Sequence, residues 1–222
     1  MDSILFFLLI LLIPLVAQVF VSSSYNKYKK IENSRKITGY DVARKILDNN
    51  GLKDMYIVIT EGIMSDHYDP KRKTVRLSES NYNGTSIASL AIAAHECGHA
   101  IQDKEGYLYM KVRSLIFPVV NLGTKFAYIV LLIGLIFQMV DLIWLGILLV
   151  GLGFVFQVVT LPVEFNASTR AKESIDKYGI ATNEDLTGVD KMLKAAAYTY
   201  VAGVLASALE LLRLIAIVNG RD

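Results

Sequence analysis

"FAYIVLLIGLIFQMVDLIWLGILLVGLGFVFQVVT", residues 126 to 160, runs for 35 residues with a single charge, Asp141, near its middle. Divided at Asp141 it gives two legs of about 17 residues, each about 26 Å long as a helix, close to the hydrocarbon thickness of a bilayer. Few water-soluble cores need so long an uncharged stretch, because a helix in a soluble domain keeps one polar face. The stretch therefore predicts a transmembrane helical hairpin that turns at Asp141. Its turn carries no Lys or Arg, which by the positive-inside bias assigns it to the outside.

The rest of the composition agrees with a membrane protein. The 222 residues are 53% apolar with a mean hydropathy of +0.41, high for a soluble chain. Residues Ile4 to Val21 form a second uncharged run, 18 residues long and about 27 Å as a helix. A cleaved signal peptide is the rival reading, but its n-region would be "MDS", and the basic cluster comes afterwards in "YNKYKKIENSRK". An uncleaved anchor with its N-terminus outside and the following segment in the cytoplasm is the better fit. A last run, Ala195 to Val218, is interrupted by Glu210 and Arg213. Spaced i, i+3, these two charges can pair, and the segment can span, lie along the interface or pack on other helices. The formal net charge of +2, without an aromatic and basic array, excludes a nucleic-acid partner. The one cysteine, Cys97, excludes a disulfide framework and a CxxC zinc site.

Between the first run and the hairpin lies a polar segment with the marks of a small folded domain. Thr38 can cap a helix over "GYDVARKILDNNG", with Val42, Ile46 and Leu47 on one face and Gly51 as the stop. "MYIVIT" and "TVRLSE" are β-branched runs joined through "SDHYDPKRK", an extended piece followed by a Pro-containing turn. A small sheet follows from them. Another helix begins near Thr85 or Ser86 and runs through "IASLAIAAHECGHAIQ".

That helix carries the chemistry. His95 and His99 stand one turn apart on one face, so both imidazoles can reach one ion, and Glu96, about 100° round, can lean over the ion's open position. Zn²⁺ held by three protein ligands keeps a place for water and lowers its pKa to about 7, leaving Glu96 to accept the proton. The bland alternative, two core histidines, does not account for HExxH falling on a helix, the context the motif requires. Cys97 points to the opposite face and reads as a small buried residue. Glu105, six residues after His99, would be a third ligand only with a Gly turn where this chain has Gln102. Glu164 in "LPVEFNASTRAKESIDKYG" is the better candidate, in a helix opened by Pro162 and ended by Gly179. The hairpin leaves and re-enters the same side of the bilayer, which returns Glu164 to the side of the HECGH helix. Alone, Glu164 would read as a solvated acid in a first helical turn.

At these residues a resemblance becomes specific. "TGYDVARKIL", "SDHYDPKRKTVRLS", "AAHECGHAIQ" and "LPVEFNASTRA" together resemble the YugP-like membrane zinc metallopeptidases, over most of the chain. More distantly, HExxH followed by a membrane hairpin and a Glu-Phe-x-Ala motif is similar to the gluzincin membrane proteases of the HtpX and prenyl-protein-protease type. The resemblance implies zinc, with His95, His99 and Glu164 as ligands and Glu96 as catalytic base. At Ser168 the chain departs from the wider group, where an Asp would support a ligand through a hydrogen bond. In such peptidases an extended strand beside the metal helix pairs with the substrate backbone. By position that strand is "SDHYDP", which makes Asp66, His67 and Tyr68 candidate substrate contacts, although His67 reads first as a surface residue. Tyr198 and Tyr200 are further candidates for an oxyanion donor, against their ordinary role as interface anchors.

The expectation is a mainly α integral membrane protein, with three or four transmembrane helices and a small α+β zincin-like (gluzincin) catalytic domain. Its divisions are an anchor over 1–22, a cytoplasmic domain over 23–114 and a hairpin over 115–162. The third-ligand helix and its successor follow over 163–194, and a C-terminal apolar helix over 195–222. The expected activity is zinc-dependent endopeptidase action on peptide or membrane-protein substrates at the cytoplasmic side of the lipid bilayer. Two other classes compete. A non-catalytic scaffold with structural zinc would have no use for Glu96 and would usually supply four ligands. A hydrolase of small peptides or lipid-linked substrates would show a closed pocket.

Overall fold

A computed structural model describes residues 3–220. The first two residues of the expected anchor, with the acid of "MDS", and the last two of the C-terminal segment lie outside the described residues. In chain order the elements are α1 (Ser3–Tyr28), α2 (Gly39–Asn49), β1 (Tyr56–Thr60), β2 (His67–Asp69), β3 (Thr74–Ser78), α3 (Glu79–Tyr82), α4 (Ile87–Glu105), α5 (Leu108–Ile136), α6 (Val140–Lys177) and α7 (Asn183–Asn219). They fall into two compact units. One comprises the chain through Gln18, Leu108–Pro162 and the chain from Thr199 onward; the other comprises Val19–Tyr107 and Val163–Tyr198.

Among the described residues four helices, α1, α5, α6 and α7, are long and apolar enough to cross a membrane. Between 6% and 22% of their most apolar windows is buried within the protein, so most of those side chains face outward, an arrangement that water would penalise and lipid would not. In the first unit Leu131 of α5 and Ile143 and Ile147 of α6 form a core onto which Leu211, Leu214 and Ile215 of α7 pack. The last apolar segment is therefore the fourth candidate span. Gly146 lets the two legs of the hairpin close on each other, since a Cβ there would stand 2.4 Å from the Leu131 side chain.

Two expectations shift in detail. The hairpin turns at residues 137–139, where Gln138 takes a left-handed φ of 55°, and Asp141 sits in the first turn of α6. There its carboxylate meets the positive end of the helix dipole, a better place for a lone acid than a turn. Nor does Pro162 open a new helix: α6 continues through it to Lys177. A proline inside a helix forfeits one hydrogen bond, whereas breaking an apolar helix there would strand several backbone groups away from water.

In the second unit, β1 pairs parallel with β3, and β2 pairs antiparallel with β3, giving the order β1-β3-β2. Thr38 caps α2 in a reciprocal capping box with Asp41, and Gly51 ends it at a φ of 69°. Val42, Ala43, Ile46 and Leu47 on one face of α2 are fully buried. The partner face belongs to α4, where Ala, Gly and Ser dominate and 14 of 19 residues are buried. Ser86 caps α4 through the Ser89 amide, and Gly106 ends it in the left-handed region.

Candidate metal centre

Three side chains converge in the second unit: His95 and His99 from α4 and Glu164 from α6. The Glu164 Oε2 lies 3.3 Å from His95 Nε2 and 3.6 Å from His99 Nε2, and one donor atom from each residue falls within 4.8 Å of the others. Their spacing follows from the helices. His95 and His99 are one turn apart with ring centroids 4.8 Å apart, edge to face. Glu164 reaches them because α4 and α6 nearly touch: a Cβ on Gly98 would lie 2.4 Å from the Ala167 carbonyl oxygen. Gly98 and Ala167 are the pair of small residues that close approach requires.

Each imidazole is oriented from behind. His95 Nδ1 lies 3.2 Å from the Ser168 hydroxyl, and His99 Nδ1 lies 3.0 Å from the Gln102 Oε1. With the Nδ1 atoms so engaged, both Nε2 atoms face Glu164. Gln102 is fully buried and donates its amide to the Val163 carbonyl at 2.7 Å and to Asn166 Oδ1 at 2.9 Å. Arg170 extends this set, donating to Asn166 Oδ1 at 2.7 Å and pairing with Glu105 at 2.7 Å. Glu105 is thus paired with Arg170 and does not belong to the group formed by His95, His99 and Glu164.

Electrostatically the site is a cation site. Burial alone would depress the pKa of His99, yet its bond to Glu164 and the charges of Glu96 and Glu164 raise it above its ordinary value. Burial pushes the Glu96 carboxyl above the usual carboxylate range, opposed by His95 and His99 and reinforced by Glu164 and Asp66. Two buried acids and two forward-facing imidazole nitrogens favour a shared positive charge. Two nitrogens and one carboxylate oxygen, with a fourth position left over, form a donor set suited to zinc, whose bonds to such atoms run about 2.0–2.2 Å. The residues present fit the ion.

The remaining candidates, Tyr200 apart, stand elsewhere in the same unit. The Asp66 carboxylate accepts from the Ser78 amide at 2.7 Å and from Asn81 at 2.9 Å, pinning the entry to β2. Tyr68 is buried, and its hydroxyl donates to Asp103 of α4 at 2.8 Å, so β2 is tied to the metal helix; burial raises its pKa. His67 is exposed, with Nδ1 2.8 Å from the Ser65 carbonyl. Cys97 is fully buried against the Ala43 carbonyl at 3.6 Å, and burial lifts its thiol far above its usual range. Tyr198 is exposed and packs on Phe20 with ring centroids 5.9 Å apart, while Tyr200 belongs to the first unit. Gln102 is the residue sequence reasoning missed. Its signal was the i, i+3 spacing from His99, which sets it on the ligand face.

Fold and site together define a largely helical membrane protein with a His-His-Glu candidate metal centre. The chain belongs to the family described as putative neutral zinc metallopeptidase, whose model matches residues 3–219. It is 48% identical over 207 residues to the putative membrane protease YugP of Bacillus subtilis (strain 168), covering 93% of this chain and 92% of that protein. No solved structure matches it.

Proposed function

We propose that the protein is a membrane-embedded, zinc-dependent endopeptidase of gluzincin type, in which His95, His99 and Glu164 hold the ion. The observation that carries this reading is the approach of the Glu164 carboxylate to both Nε2 atoms, while Ser168 and Gln102 engage the opposite ring nitrogens. Zinc bound there supplies Lewis acidity, polarising a peptide carbonyl and making water nucleophilic near neutral pH. Glu96, buried beside the ligands, accepts the proton of the attacking water and delivers it to the leaving amine.

The substrate backbone pairs along the outer edge of β2, as an added strand. β2 is an edge of the sheet and is held to α4 by Tyr68 and Asp103, which supports this assignment. Asp66 and Tyr68 act by fixing the strand, and the backbone of residues 66–68 makes the contact. The basic residues after the first span, and the uncharged hairpin turn, support a cytoplasmic active site.

The test is to purify wild type and Glu96→Gln, measure bound zinc, and assay both on casein and on a membrane-protein substrate. The reading expects equal zinc and a loss of activity in the variant of about 10²–10⁴-fold. Equal activity, or a wild type without zinc, rejects it.

A further inference from the structure

α1 and α7 form a cleft of about 340 Å³ that the metal centre does not use. From α1 it is lined by Phe20, Ser23, Ser24, Lys27 and Tyr28, positions i, i+3, i+4, i+7 and i+8, hence one helix face. From α7 it is lined by Lys191, Lys194 and Tyr198, positions i, i+3 and i+7, again one face. All of these residues belong to the second unit.

On each helix the face is graded from apolar to basic across seven residues, about 10 Å of helix. On α1 the apolar run ends at Val21 and the lysine comes at 27; on α7 the lysines come at 191 and 194, and the apolar run begins at Ala195. The two gradients agree, although the helices meet the cleft from opposite ends of their apolar runs. Phe20 and Tyr198, in ring contact, mark the hydrocarbon end, and Lys27 and Lys191 mark the polar end. A length of about 10 Å is slightly more than the depth of one headgroup layer, about 5–8 Å by the difference between whole-bilayer and hydrocarbon thickness.

The charge of the cleft is positive. Asp190 is bridged by Lys194 at 2.6 Å and by Lys172 at 2.9 Å, so it is already more than neutralised. Among the described residues Lys27 and Lys191 form no ion pair with a carboxylate; Lys27 Nζ instead lies 5.5 Å from the Tyr28 ring centroid. Lysine ammoniums and serine hydroxyls above an aromatic floor suit one ligand: an anionic headgroup whose phosphate meets the lysines and whose acyl chains leave past Phe20 and Tyr198.

We infer that the cleft between α1 and α7 is a binding site for an anionic phospholipid, with Lys27 and Lys191 on its phosphate. This inference rests on the membrane placement of the two helices and not on the catalytic reading. It gives the protease a lipid contact that joins its first and last spans.

Native mass spectrometry of the delipidated full chain, titrated with phosphatidylglycerol, phosphatidylcholine or inorganic phosphate, tests it. The wild type is expected to hold one phosphatidylglycerol at concentrations where phosphatidylcholine does not bind. Lys27→Gln with Lys191→Gln is expected to weaken that adduct about 25-fold, near fivefold for each lysine, with circular dichroism and thermal unfolding unchanged as the sign of an intact fold. Lys53→Gln with Lys71→Gln, of the same net charge, is expected to leave it unaltered. Equal binding of the two lipids, an equal loss in the control pair, or displacement of phosphatidylglycerol by millimolar inorganic phosphate would overturn the proposal. The comparison of lipids on wild type decides the matter even if the variants misfold.

Discussion

α1 and α4 are both built largely of apolar residues, and they use them in opposite ways. In α1 only 11% of the apolar window is buried, and its large side chains, Leu8, Leu11 and Leu15 among them, point away from the protein. In α4, Ala91, Ala93, Ala94, Cys97 and Ala100 have no exposed surface. Size separates the two. Large apolar residues around a helix suit a fluid apolar solvent, whereas small ones let other helices approach until backbones almost meet. Hydropathy thus reports which solvent a helix tolerates, and residue volume reports how closely a neighbour stands. The candidate metal centre needs the second property, because Glu164, its proposed third ligand, comes from another helix.

The sharpest way to break this account is to remove that third ligand. Glu164→Gln keeps the volume and the helix but replaces the carboxylate that lies within 3.6 Å of both Nε2 atoms. Zinc measured after gel filtration is expected to fall from one per chain to none, with the secondary structure retained. Stoichiometric zinc in this variant would show that α6 supplies no ligand.

The contrast between the helices next predicts two outcomes for one kind of truncation. Leu90 of α4 is 1% exposed, and Leu90→Ala is expected to cost about 2–5 kcal/mol through lost burial and the cavity left behind. Leu8 of α1 is 46% exposed and faces the same apolar phase whether or not the helices associate, so Leu8→Ala is expected to cost less than about 0.5 kcal/mol. Thermal unfolding in one detergent compares them. Equal losses would mean that α1 is packed against protein there.

What was legible in the sequence follows the same division. Uncharged length located three of the four candidate spans, because a bilayer imposes a minimum run that no local accident imitates; the fourth, interrupted by Glu210 and Arg213, stayed open between spanning, lying at the interface and packing on other helices. The capping residues Thr38 and Ser86 and the left-handed Gly51 marked helix ends by local chemistry alone. HECGH announced its two imidazoles because both lie on one helix. Glu164 was harder, since its approach to α4 depends on Gly98 meeting Ala167 across a separation of 69 residues, and no local pattern states a tertiary contact. The turn was expected at Asp141 because a lone acid in an apolar run reads as a turn residue, whereas it sits at the positive end of α6; the passage of α6 through Pro162 was missed because a breaker counts for less where an interrupted helix has no water to satisfy it. Gln102 escaped because it was considered only as a missing glycine, and not as a hydrogen-bond partner on the ligand face.

Gly98→Ala probes the contact between α4 and α6 directly. The added methyl would stand 2.4 Å from the Ala167 carbonyl oxygen, so α6 must move away by a fraction of an ångström or more. Overpacking of this kind costs about 1–3 kcal/mol, and the displacement falls on the helix that carries Glu164. Stability and zinc affinity are expected to decline together. A variant as stable as wild type but weak in zinc would place the strain in the site alone, and one that loses neither would remove Gly98 from the account.

The smallest effect belongs to the residues behind the imidazoles, and it should be unequal. Gln102 is fully buried and holds His99, the Val163 carbonyl and Asn166 at once, so Gln102→Ala strands several polar groups and loosens α6 as well as the ring. Ser168 makes one contact, 3.2 Å from His95 Nδ1, on a side chain that is less deeply buried than Gln102. Removal of such an orienting partner weakens metal binding by about 10–100-fold, and Ser168→Ala is expected near the lower end, Gln102→Ala near the upper. Competition for zinc with a chelator of known affinity measures both. Ser168→Asp should hold His95 more firmly than Ser168→Ala, because a carboxylate accepts the Nδ1 proton more strongly than a hydroxyl does. If aspartate binds zinc no better than alanine, the hydroxyl at 168 does not orient His95, and the ring is set by its place on α4 and by the carboxylate across from it.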